Sequence, residues 1–272
     1  MGKVYASSDW HGTGNLADKV FEFLKPDDTL YFLGDCCDRN PDGIKILNMI
    51  MNDSRVKMIK GNHDEMLREA LPYIRAEIMD INEYHGDKYG LWYMNGGRVT
   101  GEDLMLHYTP EQMTEFIKFL NNLPTELRYH SPLGHTVIME HAGYTPFSIP
   151  HRSHDPLWDR EHFYDEWDNG WGYEKDSEVD KIYLVHGHTP IQYLKYMYGY
   201  NGEQPLTKED FIAKRQFLQD LVMDGEEIIK PTIIRYCDGH KFCIDMCTVV
   251  SDRIALLDLD TFEEIYFDEE DD

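Results

Sequence analysis

The chain has 272 residues, of which 42% are hydrophobic, so it is long enough to bury a substantial core. Its formal charge of −25 comes from 51 acidic and 26 basic residues, and such a field repels nucleic-acid backbones and anionic lipid surfaces. We therefore expect neither an extended nucleic acid nor a membrane as a partner. A small anion is not excluded, because a bound cation overrides the bulk charge locally.

Cysteine content and the start of the chain bear on the compartment. The five cysteines are odd in number, and the first residues, Met-Gly-Lys-Val-Tyr, do not form a signal segment. A reducing compartment fits this pattern. Because no apolar run approaches the roughly 18 residues of a spanning helix, we predict a cytoplasmic protein.

The first third of the chain alternates apolar runs with amphipathic stretches. This pattern predicts strands at 3–8, 29–33 and 56–59 and helices at 16–24 and 42–51. Each strand runs into a polar cluster: Asp9-Trp-His-Gly12, Gly34-Asp-Cys-Cys-Asp-Arg39 and Gly61-Asn-His-Asp64. The alternation is typical of an α/β fold, in which functional groups gather at the strand ends.

The middle of the chain begins with a predicted helix from Asp64 to about Ile81. We interpret residues 82–103, rich in Gly, Tyr and Asn, as an irregular insertion. Thr109-Pro-Glu-Gln112 matches a capping box with proline at the first helical position, which predicts a helix to about Asn122. Apolar runs at 136–140 and 182–185 predict two strands, each followed by a turn that contains histidine.

Towards the end of the chain, residues 192–230 form a second predicted insertion, resembling a lid or docking element. Strands are then predicted at 232–236, 241–245, 253–259 and 264–267, with a turn at Asp238-Gly239. No low-complexity linker divides the chain. We therefore expect one domain over residues 1–272 with insertions at 82–103 and 192–230.

The strand ends carry side chains of the types that bind metal ions. Asp9 and His11 lie two residues apart, which lets both project from one side of an extended segment, and a mixed carboxylate and imidazole site suits manganese, iron or zinc. Asp35 offers a carboxylate that can bridge two cations. Five turns converge on ligand-type residues, a stronger indication than any single turn. The candidate ligands are Asp9, His11, Asp35, Asn62, His141 and His188.

These motifs, with His141-Ala-Gly143 and Gly187-His-Thr189, resemble the phosphoprotein phosphatase branch of the calcineurin-like metallophosphoesterases, close to the bacterial and phage lambda-type serine/threonine protein phosphatases. A weaker similarity continues through Ile244-Asp245 to Asp258. The resemblance implies a four-layer α/β/β/α sandwich with mixed central sheets. It also implies a phosphomonoesterase with two divalent metal ions, manganese first and iron or zinc as alternatives.

The resemblance also implies a role for each matching residue. One metal would be held by Asp9, His11 and Asp35, and the other by Asp35, Asn62, His141 and His188. A hydroxide bridging the metals would attack phosphorus while His63, oriented by Asp38, protonates the leaving oxygen. Substrate phosphate would be bound by Arg39, Arg160, Asn62 and Lys60.

Two departures affect the expected activity. Lys60 stands where the family usually has arginine, so one phosphate contact becomes a point charge or is lost. Pro190 stands where many other metallophosphoesterases have one more histidine ligand, which favours the protein phosphatases. We expect hydrolysis of phosphoserine and phosphothreonine, with phosphotyrosine as a further substrate, in a protein or a small phosphoester. The alternatives are a diadenosine tetraphosphate hydrolase or other nucleotide phosphatase, and a non-catalytic binding protein on the same fold. A phosphodiesterase or nuclease is disfavoured by Pro190 and by the acidic surface.

Overall fold

The structure is a computed structural model that describes residues 2–79, 87–146, 154–164, 178–191 and 230–269. Two five-stranded sheets form its centre, with strand orders β10-β9-β1-β2-β3 and β4-β5-β6-β8-β7. Numbered along the chain, the strands are β1 Val4–Ser7, β2 Thr29–Phe32, β3 Val56–Met58, β4 Glu126–His130, β5 Thr136–Glu140, β6 Ile182–His186, β7 Ile234–Tyr236, β8 Lys241–Cys243, β9 Arg253–Asp258 and β10 Glu264–Asp268.

Both sheets mix parallel and antiparallel pairs. In the first sheet β1, β2 and β3 are parallel, whereas β9 and β10 run antiparallel to their neighbours. In the second sheet β5, β6 and β8 are parallel, and β4 and β7 are antiparallel edge strands. Each sheet therefore brings the carboxyl ends of three parallel strands to a single edge, where the polar turns lie.

Alternation along the strands divides the apolar side chains between two cores. In β2, Leu30 and Phe32 face the first core, while Tyr31 faces the second core together with Leu33, which follows the strand. The first core also contains apolar residues of the helices, and the second is shared between the two sheets. The two-residue period of a strand thus places one sheet between a helical layer and the other sheet.

The helices are α1 Gly14–Phe23, α2 Gly43–Asn52, α3 Asn62–Ile78, α4 Asp87–Trp92, α5 Arg98–His107, α6 Pro110–Asn121 and α7 Thr248–Ser251, with a π-helical turn at Tyr93–Gly97. The capping box that opens α6 is present: Thr109 Oγ1 accepts from the backbone N–H of Gln112, and the Gln112 side chain accepts from the N–H of Thr109. None of the described helices combines the length and the apolar composition of a membrane-spanning segment.

The α/β fold with two mixed sheets is confirmed. The expectation of irregular structure at 82–103 is wrong for residues 87–103, which form α4, the π-helical turn and most of α5. Gly96, with a φ of 103°, forms the kink between α4 and α5, and Gly97 and Gly101 give room to the indole of Trp92. The predicted insertion at 192–230 lies, except for residue 230, outside the described residues.

Candidate metal centre and active site

The site is built on turns that follow β1 and β2, and these turns are joined through their backbones. The N–H groups of Asp9 and His11 donate to the carbonyl oxygens of Gly34 and Asp35, both at 3.1 Å. Asp9, His11 and Asp35 have positive φ angles of 57°, 42° and 61°. This left-handed conformation costs residues with a Cβ roughly 1 kcal/mol each, and such strain concentrates at functional sites.

The carboxylate of Asp35 lies at the centre of the cluster. Its Oδ2 is 3.8 Å from Nε2 of His11 and 3.5 Å from Nε2 of His141. Its Oδ1 accepts a hydrogen bond of 2.9 Å from the backbone N–H of His63. Because one oxygen faces a histidine on either side, Asp35 is suited to being shared by two cations.

The other candidate ligands surround Asp35. Oδ1 of Asp9 is 4.0 Å from Nε2 of His11, and its Oδ2 accepts from the backbone N–H of His188 at 3.1 Å. Oδ1 of Asn62 is 2.9 Å from both Nε2 of His141 and Nδ1 of His188. The structure therefore brings together all of the predicted metal ligands, from turns after four different strands and from the start of α3.

The tautomers of the histidines fit a cation at this place. Nδ1 of His141 is 2.7 Å from the carbonyl oxygen of Leu33, and Nδ1 of His11 is 3.0 Å from that of Cys37. Because a carbonyl can only accept, both Nδ1 atoms carry a hydrogen, and in the neutral rings the Nε2 lone pairs point at the carboxylate of Asp35. Oxygen and nitrogen atoms that face one another in this way could bind divalent metal ions.

The pKa directions reflect the same need for positive charge. Burial would lower the pKa of His141, but Asp35 and Asp9 raise it to about 10. Burial would raise the pKa of Asp35, yet the charges on His141 and His63 hold it well below the ordinary value. Burial, reinforced by the charge of Asp245, raises the pKa of Asp9 well above normal. Without a metal ion, the buried carboxylates are compensated by protons on Asp9 and His141, and a bound cation would take over that role.

Beside the cluster, His63 is engaged through both ring nitrogens. Its Nδ1 is 2.8 Å from Oδ2 of Asp38, and its Nε2 is 3.2 Å from Nη2 of Arg39. His63 also lies close enough to His11 and Asp35 to join a metal-binding group. It is the less suitable ligand, because Asp38 and Arg39 already occupy its two nitrogens.

A cavity of about 400 Å³ opens onto these groups. Arg39 and Arg160 line it, and Nη2 of Arg160 lies 3.4 Å from the carbonyl oxygen of His188. Lys60 does not line this cavity of described residues, and its Nζ bonds to Oε2 of Glu65 at 2.8 Å. The structure thus places two of the predicted phosphate-binding cations at the cavity, while the third contacts a structural carboxylate.

Sequence reasoning missed several cavity residues. Asp245, buried and with its pKa raised by burial to about 6, follows β8 as Asp35 follows β2, so the same strand-end pattern indicates it. Asn95 lies in the segment that was expected to be irregular. Trp158 is 40% exposed and lies edge-on to the ring of His188, with centroids 5.7 Å apart. The remaining unpredicted lining residues are Thr189, Pro190 and Cys247.

Comparison with known families agrees with this geometry. Residues 2–219 match the model of the calcineurin-like phosphoesterases, and the chain belongs to that family. The class is that of metal-dependent phosphoester hydrolases. Comparison with curated protein sequences gives no significant match.

Several solved structures align with this chain. A candidate diadenosine tetraphosphatase aligns with a TM-score of 0.52 and 15% identity, over 98% of this chain and 93% of its own. A metallophosphoesterase from Sphaerobacter thermophilus aligns with a TM-score of 0.47 and 12% identity, over 97% and 86%. A serine/threonine phosphatase from Saccharomyces cerevisiae aligns with a TM-score of 0.44 and 12% identity, over 100% and 81%.

Proposed function

We propose that this protein is a dinuclear metal-dependent phosphomonoesterase of the phosphoprotein phosphatase branch. Its substrates would be phosphoserine and phosphothreonine, with phosphotyrosine as a further substrate. The observation that carries the proposal is that Arg39, Arg160 and His63 line the same cavity as five of the candidate metal ligands, Asp9, His11, Asp35, Asn62 and His188. Nδ1 of His63 is bonded to Asp38 behind the cavity wall.

The metal ions would be held by the residues that converge on Asp35. One set is Asp9, His11 and Asp35, and the other is Asp35, Asn62, His141 and His188. When bound, two divalent cations, with manganese as the first choice, would polarise the phosphoryl group and activate water for attack on phosphorus.

The two arginines support a monoester as the substrate. A guanidinium group matches two phosphate oxygens at once, and Arg39 and Arg160 together complement the double negative charge of a monoester better than the single charge of a diester. The fork of Arg39 now contacts Nε2 of His63. Binding of phosphate would give Arg39 a stronger partner, so that Nε2 could take up a proton from solvent and donate it to the leaving oxygen.

His63 supports hydrolysis of esters with poor leaving groups. An alkoxide such as that of serine must be protonated as the ester bond breaks, and an imidazolium paired with a carboxylate supplies that proton. The bond from Nδ1 to Asp38 keeps the other nitrogen, Nε2, on the side of the cavity. A non-catalytic binding protein would not need this pair.

A second candidate is a dinucleoside tetraphosphate hydrolase. The exposed indole of Trp158 at the cavity offers a surface on which a nucleobase can stack. The bulk charge of −25 supports small or locally phosphorylated substrates over extended nucleic acid in either case.

The test is a substrate panel with purified protein and added Mn²⁺: p-nitrophenyl phosphate, bis(p-nitrophenyl) phosphate, a phosphoserine peptide and diadenosine tetraphosphate. We expect turnover of both monoesters, and a decrease of about 10² on the peptide in His63→Asn. An equal rate in the mutant would refute the acid role of His63. Preference for the tetraphosphate would establish the second candidate, diester cleavage would indicate a phosphodiesterase, and inactivity with every metal would indicate a binding protein.

A further inference from the structure

The carboxylate of Asp38 is held by more than its contact with His63. It is fully buried, and its Oδ2 lies 2.8 Å from Nδ1 of His63. Nε1 of Trp92 donates to both carboxylate oxygens at 3.0 Å, and the hydroxyl of Thr100 donates to Oδ1 at 2.8 Å. Donors on both sides of the carboxylate prevent its rotation about the Cβ–Cγ bond.

The same helical segment also holds the backbone at this point. The N–H of Asp38 donates to Oγ1 of Thr100 at 3.0 Å, and the N–H of Arg39 donates to the carbonyl oxygen of Gly96 at 3.0 Å. Asp38 and Arg39 both have a φ of 71°, a conformation that is unfavourable for residues with a Cβ. Contacts from residues 92–100 therefore stabilise both the strained turn and its carboxylate.

The residue types at 92–100 are suited to holding Asp38 in place. A Cβ at Gly97 would lie 2.2 Å from Cε2 of Trp92, so only glycine leaves room for the indole. Trp92 is fully buried and packs against Tyr89 with ring centroids 5.7 Å apart. A buried indole N–H requires an acceptor, and Asp38 is that acceptor.

We propose that Trp92 and Thr100 are positioning residues that orient Asp38 and, through it, the imidazole of His63. This inference rests on the proposed function, because orientation of His63 matters only if that ring transfers a proton. A carboxylate free to turn would let the ring turn with it and move Nε2 away from the leaving oxygen. The segment would therefore affect hydrolysis most for substrates whose leaving group needs a proton.

The decisive measurement compares leaving groups. Thr100→Val removes the hydroxyl at nearly constant volume, Trp92→Phe removes the indole N–H, and Thr100→Ser keeps the hydroxyl as the matched control. We expect kcat for the phosphoserine peptide to decrease about tenfold in the first two variants, with KM unchanged, as is typical for residues that orient a functional side chain. On p-nitrophenyl phosphate, whose leaving group needs little protonation, the decrease should be about twofold or less.

Thr100→Ser should retain most of the activity on the peptide. Equal losses on the two substrates, or a loss in Thr100→Ser as large as in Thr100→Val, would overturn the proposal. Combination with His63→Asn gives a second criterion: Trp92→Phe should have little further effect in that background, because the residues act as a unit. A full additional tenfold loss would indicate general damage to the fold instead.

A spectroscopic readout on metal-free protein separates this proposal from the proposed function. The Nδ1 proton of His63, hydrogen-bonded to Asp38, should give a downfield NMR signal that is absent in His63→Asn. Thr100→Val and Trp92→Phe should shift or broaden it, and Thr100→Ser should preserve it. An unchanged signal in Thr100→Val would refute the positioning role. If Thr100→Val shifts the signal but the wild type hydrolyses none of the substrates, only the phosphatase assignment is refuted.

Discussion

Removing the charge of Lys60 should lower the stability of the protein and leave substrate binding unchanged. Nζ of Lys60 lies 2.8 Å from Oε2 of Glu65, and the two side chains are 13% and 27% exposed. Arg68 donates to both oxygens of the same carboxylate, at 2.8 Å and 2.6 Å. Because Glu65 keeps Arg68 when Lys60 is changed, we expect Lys60→Met to cost less than Glu65→Gln, which leaves two cations without their carboxylate.

The size of the effect follows from the pKa of Glu65. The hydrogen bonds from Arg68, with a further contribution from Lys60 and against the effect of burial, lower this pKa from 4.5 to about 2. Such a lowering corresponds to ~3 kcal/mol at 1.36 kcal/mol per pH unit. Solvent screening at partly exposed side chains reduces it to about 1 kcal/mol. Because the folded pKa lies below the unfolded one, this stability is present above pH 4.5 and lost as the pH falls through about 2.

The assay is urea denaturation of the wild type, Lys60→Met and Glu65→Gln near pH 7 and near pH 3. Glu65→Gln should lose about 1 kcal/mol of unfolding free energy near neutrality, and roughly half or more of this deficit should disappear near pH 3. KM for the phosphopeptide should be unchanged in both variants. A loss of unfolding free energy that is independent of pH would refute its ionic origin. A tenfold rise in KM in Lys60→Met, at unchanged stability, would indicate that Lys60 binds the substrate.

Three further changes test the site and the core. Arg160→Lys removes a guanidinium fork, so kcat/KM for p-nitrophenyl phosphate should fall about tenfold with no change in thermal midpoint; an unchanged kcat/KM would contradict phosphate binding by Arg160. Dialysis against a chelator should abolish turnover and Mn²⁺ should restore it, whereas full activity after chelation would contradict metal dependence. Leu30→Ala, in the centre of the first core, should lower the free energy of unfolding by about 2–5 kcal/mol in urea denaturation. Leu133→Ala, at a site 68% exposed, should have little effect. Equal changes in the two variants would contradict the described burial.

The local patterns of the sequence predicted most strands and helices correctly, because they depend on neighbouring residues. Thr109 and Gln112 begin α6 through a cap that needs only four consecutive residues. The apolar runs that end before Asp9, Asp35 and His141 form β1, β2 and β5. Strand β4 was not predicted, because an edge strand carries a weak apolar pattern, and Glu126–His130 has no fully buried residue.

The segment at 87–103 could not be interpreted from its composition. Glycine and asparagine favour turns in general, but here Gly97 accommodates an indole that lies over it, and Trp92 in turn bonds to Asp38, 54 positions earlier. Lys60 is a similar case. Its position next to a catalytic motif predicted a contact with substrate phosphate, but in the folded chain its ammonium group bonds to the carboxylate of Glu65. Both outcomes depend on contacts between side chains that no periodicity describes.

The sequence by itself determined the α/β alternation and the identity of the side chains at the strand ends, because hydrophobic period and ligand chemistry are properties of residues and their immediate neighbours. Only the tertiary structure decided that Asp35 lies between His11 and His141, that Asp245 borders the same cavity and that a helical segment holds Asp38. The physical reason is that these distances arise from the packing of two sheets and a helical layer. That packing is set by the whole core.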